Sequence, residues 1–179
     1  MMTLVMGGAA SGKSEFAEQL ILQTEILPRY YIATMQPFDK ECCLRIEKHR
    51  KMRAQKQFET IECYTGLADL HLPQKGAVLL ECMSNLVANE LYSPEGAGGE
   101  ALSAILIGVE QLAAQSSQLV IVSNEVFSGG LDYAGDTGRY LRLLAEVNRK
   151  LAARAHRVCE VVCGIPCWQK GGERFRDLV

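Results

Sequence analysis

The first fourteen residues constrain this chain more than any other stretch. A short apolar run at 3–6 leads directly into Gly7, Gly8, Ala9, Ala10, Ser11, Gly12, Lys13 and Ser14, which satisfies the GxxxxGK[ST] spacing of a phosphate-binding loop. Glycines reach backbone angles closed to other residues and let main-chain N–H groups approach phosphate oxygens, while the helix that follows aims the positive end of its dipole at the same point. Lys13 then belongs on the β- and γ-phosphates and the Ser14 hydroxyl on Mg²⁺. A purely structural glycine turn would fit the pattern alone. The context is the one a nucleotide site requires, however: a strand before the loop and, after it, residues 15–22 with Phe16 and Leu20 at helical spacing.

A loop of this kind is held by a parallel sheet, and the rest of the chain alternates accordingly. Strands are expected at 30–35, between Pro28 and Pro37, and at 58–63, 77–82, 119–123 and 158–163. Helices are expected at 39–57 with Asp39 as cap, at 84–91 with Ser84 as cap, at 100–115 and at 139–156. The runs at 77–82 and 119–123 are apolar on both faces, as interior parallel strands are. Gly164, Ile165 and Pro166 are expected to end the last strand. With 179 residues and 48% hydrophobic content, the reading is one domain over 1–179, a three-layer P-loop nucleotide-binding α/β fold with a mainly parallel sheet.

Composition narrows the partners. A net charge of −2 gives no global attraction to nucleic acid or an anionic membrane, and no run reaches the roughly eighteen apolar residues of a membrane span. Seven cysteines without a secretory leader point to a reduced, cytoplasmic setting. Cys159, Cys163 and Cys167 recur every four residues but form no close CxxC pair, and they read as small hydrophobes rather than zinc ligands.

Ligands of open parallel sheets bind beyond the carboxyl ends of the strands. There the sequence places Thr34 and Gln36, then Glu81 with Ser84 and Asn85, then Asn124 and Glu125. Glu81 suits the Mg²⁺ shell, with a solvated strand end as the plain alternative. Glu125 is open between a second metal-shell acid, a base for a substrate hydroxyl and a structural acceptor. In the segment 39–56, Lys40, Arg45, Lys48, Arg50, Lys51, Arg53 and Lys56 outnumber Asp39, Glu41 and Glu47, and Arg45, His49 and Arg53 share one helical face. That is either a solvated basic helix or a place where His49 attacks an α-phosphate, forming a phosphoramidate while the arginines stabilise the developing charge. His71 reads as a loop residue and His156 as a helix-end cation. From the residues alone, a kinase of some small alcohol and a non-catalytic GTP-binding switch stay open beside a histidine-dependent nucleotidyltransferase.

Taken in order, the phosphate loop, Tyr31-Ile32-Ala33-Thr34, Arg45-Ile46-Glu47-Lys48-His49-Arg50, Leu79-Leu80-Glu81-Cys82, Val122-Ser123-Asn124-Glu125-Val126, Asn148 with Leu151-Ala152, and Cys163-Gly164-Ile165-Pro166 resemble the bifunctional adenosylcobinamide kinase/adenosylcobinamide-phosphate guanylyltransferase family of cobalamin biosynthesis. The resemblance runs nearly end to end. It implies phosphorylation of the aminopropanol hydroxyl of the corrinoid adenosylcobinamide by ATP or GTP, then transfer of GMP from GTP through a guanylylated His49, with release of pyrophosphate. It also implies a homotrimer. Where the family has Gly-x-Gly and a proline after Asn-Glu-Val, this chain has Phe127 to Asp132; Leu141-Arg142 and Ala145 replace an Arg-Asp pair and a glycine.

Overall fold

The computed structural model describes residues 1–37, 47, 55–126 and 134–172. The expected Asp39 cap, Arg45, His49, Arg53, Cys42, Cys43 and the loop at 127–133 lie outside the described residues; Glu47 and Gln55 are helical. The described elements are β1 (Met2–Gly7), α1 (Lys13–Leu22), β2 (Arg29–Ala33), β3 (Phe58–Glu62), β4 (Gly76–Glu81), α2 (Met83–Tyr92), α3 (Ala101–Gln115), β5 (Ser116–Asn124), α4 (Gly135–Arg154), β6 (Arg157–Val162) and β7 (Ile165–Lys170). Short 3-10 turns lie at Leu67–Asp69 and Gly98–Glu100.

All seven strands form one sheet in the order β3-β2-β4-β5-β1-β6-β7. Every neighbouring pair is parallel except β6 and β7. The continuous apolar runs follow from burial on both faces. On β4, Ala77 and Leu79 face α1 and pack with Ala17, Ile21 and Tyr31, while Val78 and Leu80 enter the opposite core with Leu86, Leu112 and Leu144. β1 divides the same way, Val5 to the α1 side and Leu4 to the other. This is the expected three-layer α/β architecture with a mainly parallel sheet.

Four details differ from the sequence reading. The chain does not leave the sheet at Gly164: Cys163 and Gly164, with φ of +51° and +81°, make a tight two-residue turn into β7. Pro166 is tolerated there because β7 is an edge strand, bonded on one side only. Ser84 is not a cap; Cys82 holds that position, and the Ser84 hydroxyl instead accepts from the Asn124 N–H at 3.2 Å. Helix α4 starts at Gly135, earlier than expected. Finally, His156 does not end the helix: α4 stops at Arg154, and His156 Nδ1 accepts from the Met2 N–H at 3.1 Å, tying the residue to β1.

Four of the five described thiols separate into two classes. Burial pushes Cys63 up to about 11, with the carboxylates of Glu90 and Asp69 adding to it, and burial beside Cys167 pushes Cys159 to about 11. Cys163 and Cys167 are exposed. Since the thiolate is the nucleophile, only roughly a thousandth of Cys63 or Cys159 is reactive at pH 8. Iodoacetamide at that pH should alkylate Cys163 and Cys167 in the native protein and spare Cys63 and Cys159 until denaturant is added, as read by peptide mass mapping.

Candidate functional site

The phosphate loop fills the gap between the end of β1 and the start of α1. Gly12 sits in the left-handed region at φ +89° and its carbonyl takes the first helical hydrogen bond, from the Phe16 N–H at 3.0 Å. Ser11 N–H closes back on Gly8 O at 3.3 Å. Lys13 is only 8% exposed, and its ammonium donates to Gly8 O at 3.0 Å. The cation is thus held inside the loop at the helix N-terminus, where a phosphate would find both charges of favourable sign. Ala9 and Ala10 are exposed. Ser11 Oγ is buried without a hydrogen-bond partner among the described residues.

The β6–β7 turn backs this loop. Gly164 N–H donates to Ser11 O at 2.8 Å, and a Cβ on Gly12 would lie 3.3 Å from the Gly164 Cα. A Cβ on Gly7 would lie 2.5 Å from Ser11 Oγ and 2.6 Å from Val161 O, closer than any side-chain carbon tolerates. Gly7 is therefore demanded by close approach rather than by its backbone angle.

Ser14, in the first turn of α1, donates to Glu81 Oε1 at 2.5 Å across the end of β5. The Tyr31 hydroxyl of β2 donates to Glu81 Oε2. The Ser14 proton is engaged by the carboxylate, so the lone pairs of its oxygen are directed away from Glu81. A hydroxyl oxygen and a carboxylate oxygen beside a phosphate loop are the hard donors that Mg²⁺ prefers, so these residues fit that ion.

Thr34 was expected among the nucleotide contacts. It is fully buried, its hydroxyl donates to Cys82 O at 2.8 Å and accepts from Cys82 N–H at 2.7 Å, and its carbonyl accepts from Asn89 at 2.8 Å. The residue ties the ends of β2 and β4 together, with both roles of its hydroxyl taken within the protein. Gln36 reaches Ser93 at 3.3 Å. His71 lies in the loop after the first 3-10 turn, 2.8 Å from Asp69 O.

Asn124 ends β5 and Glu125 follows it, beside the phosphate loop. Glu125 N–H donates to Gly7 O at 3.0 Å, and Asn148 from α4 donates to Asn124 O at 3.2 Å while accepting from the Ser123 hydroxyl at 2.6 Å. Burial raises the Tyr140 phenol above its ordinary range, and its hydroxyl lies 3.4 Å from Ser84 O. One framework residue escaped the sequence reading altogether. Glu90, 2% exposed, accepts from Gly66 N–H at 2.8 Å and Ala97 N–H at 2.9 Å, holding two loops to α2. A glutamate in the last turn of a helix carries no local signal of such a role.

The basic segment meets the described structure at both ends. It departs after Pro37, beyond the carboxyl end of β2, and Lys56 at its close pairs with Glu18 of α1. Among the described residues no cluster of three metal-ligating His, Cys, Asp or Glu side chains occurs, and no helix is long and apolar enough to cross a membrane.

Residues 3–168 match the sequence pattern of a family described as cobinamide kinase / cobinamide phosphate guanyltransferase. The chain is 35% identical to the bifunctional adenosylcobalamin biosynthesis protein CobU of Escherichia coli, over 92% of this chain and 97% of that protein. It is likewise 32% identical to the bifunctional adenosylcobalamin biosynthesis protein CobP of Pseudomonas aeruginosa, over 96% of this chain and 98% of that one. The crystal structure of the flagellar accessory protein FlaH from Methanocaldococcus jannaschii superposes with a TM-score of 0.52 at 11% identity, covering 97% of this chain and 81% of that one. At that identity it speaks for the fold alone.

The crowding at Gly7 gives a direct test of the loop. Gly7→Ala should lower turnover about 10²-fold by displacing Ser11 and the phosphate contacts, whereas Gly99→Ala, whose Cβ meets nothing within 4 Å, should leave steady-state rates unchanged.

Proposed function

Because this chain belongs to the cobinamide kinase / cobinamide phosphate guanyltransferase family, we propose that its one phosphate loop serves two successive steps of adenosylcobalamin biosynthesis. The enzyme is a transferase twice over, a kinase for cobinamide and a guanylyltransferase for cobinamide phosphate, and nucleoside triphosphates are its second substrates. The observation that carries the assignment to this loop is the Ser14–Glu81 hydrogen bond beneath the α1 N-terminus, which joins the phosphate loop to the acid at the end of β4.

In the kinase step, the aminopropanol hydroxyl of adenosylcobinamide attacks the γ-phosphorus of ATP or GTP and a nucleoside diphosphate leaves. The loop N–H groups and Lys13 oppose the charge that grows on the phosphoryl oxygens. Mg²⁺ held through Ser14 and Glu81 would supply the remaining counter-charge on the β- and γ-phosphates.

In the guanylyl step, a ring nitrogen of His49 attacks the α-phosphorus of GTP. The P–O bond to pyrophosphate breaks, and a phosphoramidate joins GMP to the histidine. A phosphate oxygen of adenosylcobinamide phosphate then attacks the same phosphorus, which gives adenosylcobinamide-GDP and frees the imidazole. Arg45 and Arg53, four positions either side of His49 in the sequence, oppose charge on the α-phosphate. This reading is supported by the departure of the 38–54 segment from the carboxyl end of β2, the ligand side of the sheet. Asn124 and Glu125, anchored at the end of β5, face the acceptor, with Glu125 as base for its hydroxyl. One domain carries both steps, in the cytoplasm, as a homotrimer without nucleic-acid partners.

Incubation with α-³²P-GTP should label the protein in an acid-labile, alkali-stable bond, and His49→Ala should abolish the label while cobinamide phosphorylation continues. Labelling that persists in His49→Ala would transfer the role of nucleophile to another residue. Lys13→Ala should reduce phosphoryl transfer about 10²–10³-fold.

A further inference from the structure

Glu81 is held from two sides, and the two donors differ in what they can do for a cation. Ser14 comes from the phosphate loop and has lone pairs to offer; Tyr31 comes from β2 and lies deeper, 6% exposed. In the β2–β4 register, Tyr31 stands opposite Leu79 and Ala33 opposite Glu81. Tyr31 and Glu81 are therefore diagonal neighbours on the α1 face of the sheet, within reach of a long side chain. The ring of Tyr31 is fixed edge-on against Phe58, with centroids 6.3 Å apart and planes at 83°. The phenol thus approaches Oε2 from a fixed position.

We propose that Tyr31 is a positioning residue that fixes the Glu81 carboxylate, so that Oε1 alone serves the Ser14 hydroxyl and the cation side of the site. This rests on the assignment of Ser14 and Glu81 to the cation. With Oε2 engaged by the phenol, the carboxylate neither swings away from Ser14 nor turns both oxygens to one ion. Mg²⁺ and Mn²⁺ accept near-octahedral sets with single carboxylate oxygens, whereas Ca²⁺ takes larger, flexible sets that include bidentate carboxylates. Tyr31 therefore biases the site toward the smaller ion as well as strengthening its binding. Carboxylate ligands depend on such partners: removing one ordinarily weakens metal binding about 10–100-fold.

The test uses the intact protein, Mn²⁺ as probe, and guanosine 5′-(α,β-methylene)triphosphate, whose α–β bridge blocks guanylyl transfer. Free Mn²⁺ is read by electron paramagnetic resonance, and nucleotide affinity is measured separately in EDTA. Tyr31→Phe keeps the ring and its contact with Phe58; it should raise the Mn²⁺ dissociation constant about 10–100-fold. Nucleotide affinity in EDTA should stay unchanged, and Ca²⁺ should displace Mn²⁺ at lower concentration than in the wild type. Glu81→Gln serves as reference. If Glu81→Gln weakens Mn²⁺ binding and Tyr31→Phe does not, the positioning role is overturned while the cation site stands. If neither variant changes Mn²⁺ affinity, the cation assignment falls and the positioning role with it. A loss of nucleotide affinity in EDTA equal to the loss for Mn²⁺ would mark Tyr31 as merely structural and also overturn the inference.

Discussion

Three elements distant in sequence meet at one carboxylate. Glu81 accepts from Ser14 of α1 and from Tyr31 of β2, and its own backbone continues β4, so the phosphate loop, the second strand and the fourth strand are brought to a common point. A half-buried carboxylate with two donors loses much less on leaving water than one with none, because charge-assisted hydrogen bonds replace hydration. The same contacts set the hydroxyl of Ser14. Thr34 reinforces the junction one step further along, joining β2 to the first peptide beyond β4. The sheet is thereby finished at its carboxyl edge by polar bonds rather than by apolar packing.

Much of the fold was legible because burial dictates residue type. β4 and β5 lie in the middle of a parallel sheet, and each of their faces must meet a helix, so their apolar runs could not be mistaken for half-exposed strands. β7 was not legible for the opposite reason. Its edge position leaves much of it exposed, and Pro166 breaks the usual strand signature without breaking an edge strand. The start of α4 was obscured by Gly135 and Gly138, poor helix formers that the tertiary structure accepts.

The site divides along the same line. The phosphate loop could be read directly because its geometry demands glycine, lysine and a hydroxyl at fixed spacing, all within one local turn. Glu81 was singled out from its place at the end of an apolar strand. The hydrogen bonds that orient it were hidden, since Tyr31 and Ser14 stand 50 and 67 positions from it and follow no period. Thr34 shows the limit of reasoning from strand ends: it lies at the right edge of the sheet, yet its hydroxyl is spoken for by Cys82. Position along a strand identifies which side of the sheet a residue occupies; only tertiary pairing reveals whether its polar atoms face inward.

The place of β1 in the sheet has a consequence for biogenesis. Strand β1 pairs with β5 and β6, both made much later in the chain, and the turn that backs its loop comes later still, at Gly164. At translation rates of about 5–20 residues per second, β1 waits on the order of ten seconds for its neighbours. Throughout that interval an apolar segment is unpaired and the nucleotide cannot assist folding, because the cradle that would grip it is incomplete. Ligand-assisted maturation of this enzyme is thus confined to chains whose synthesis has passed the β6–β7 hairpin.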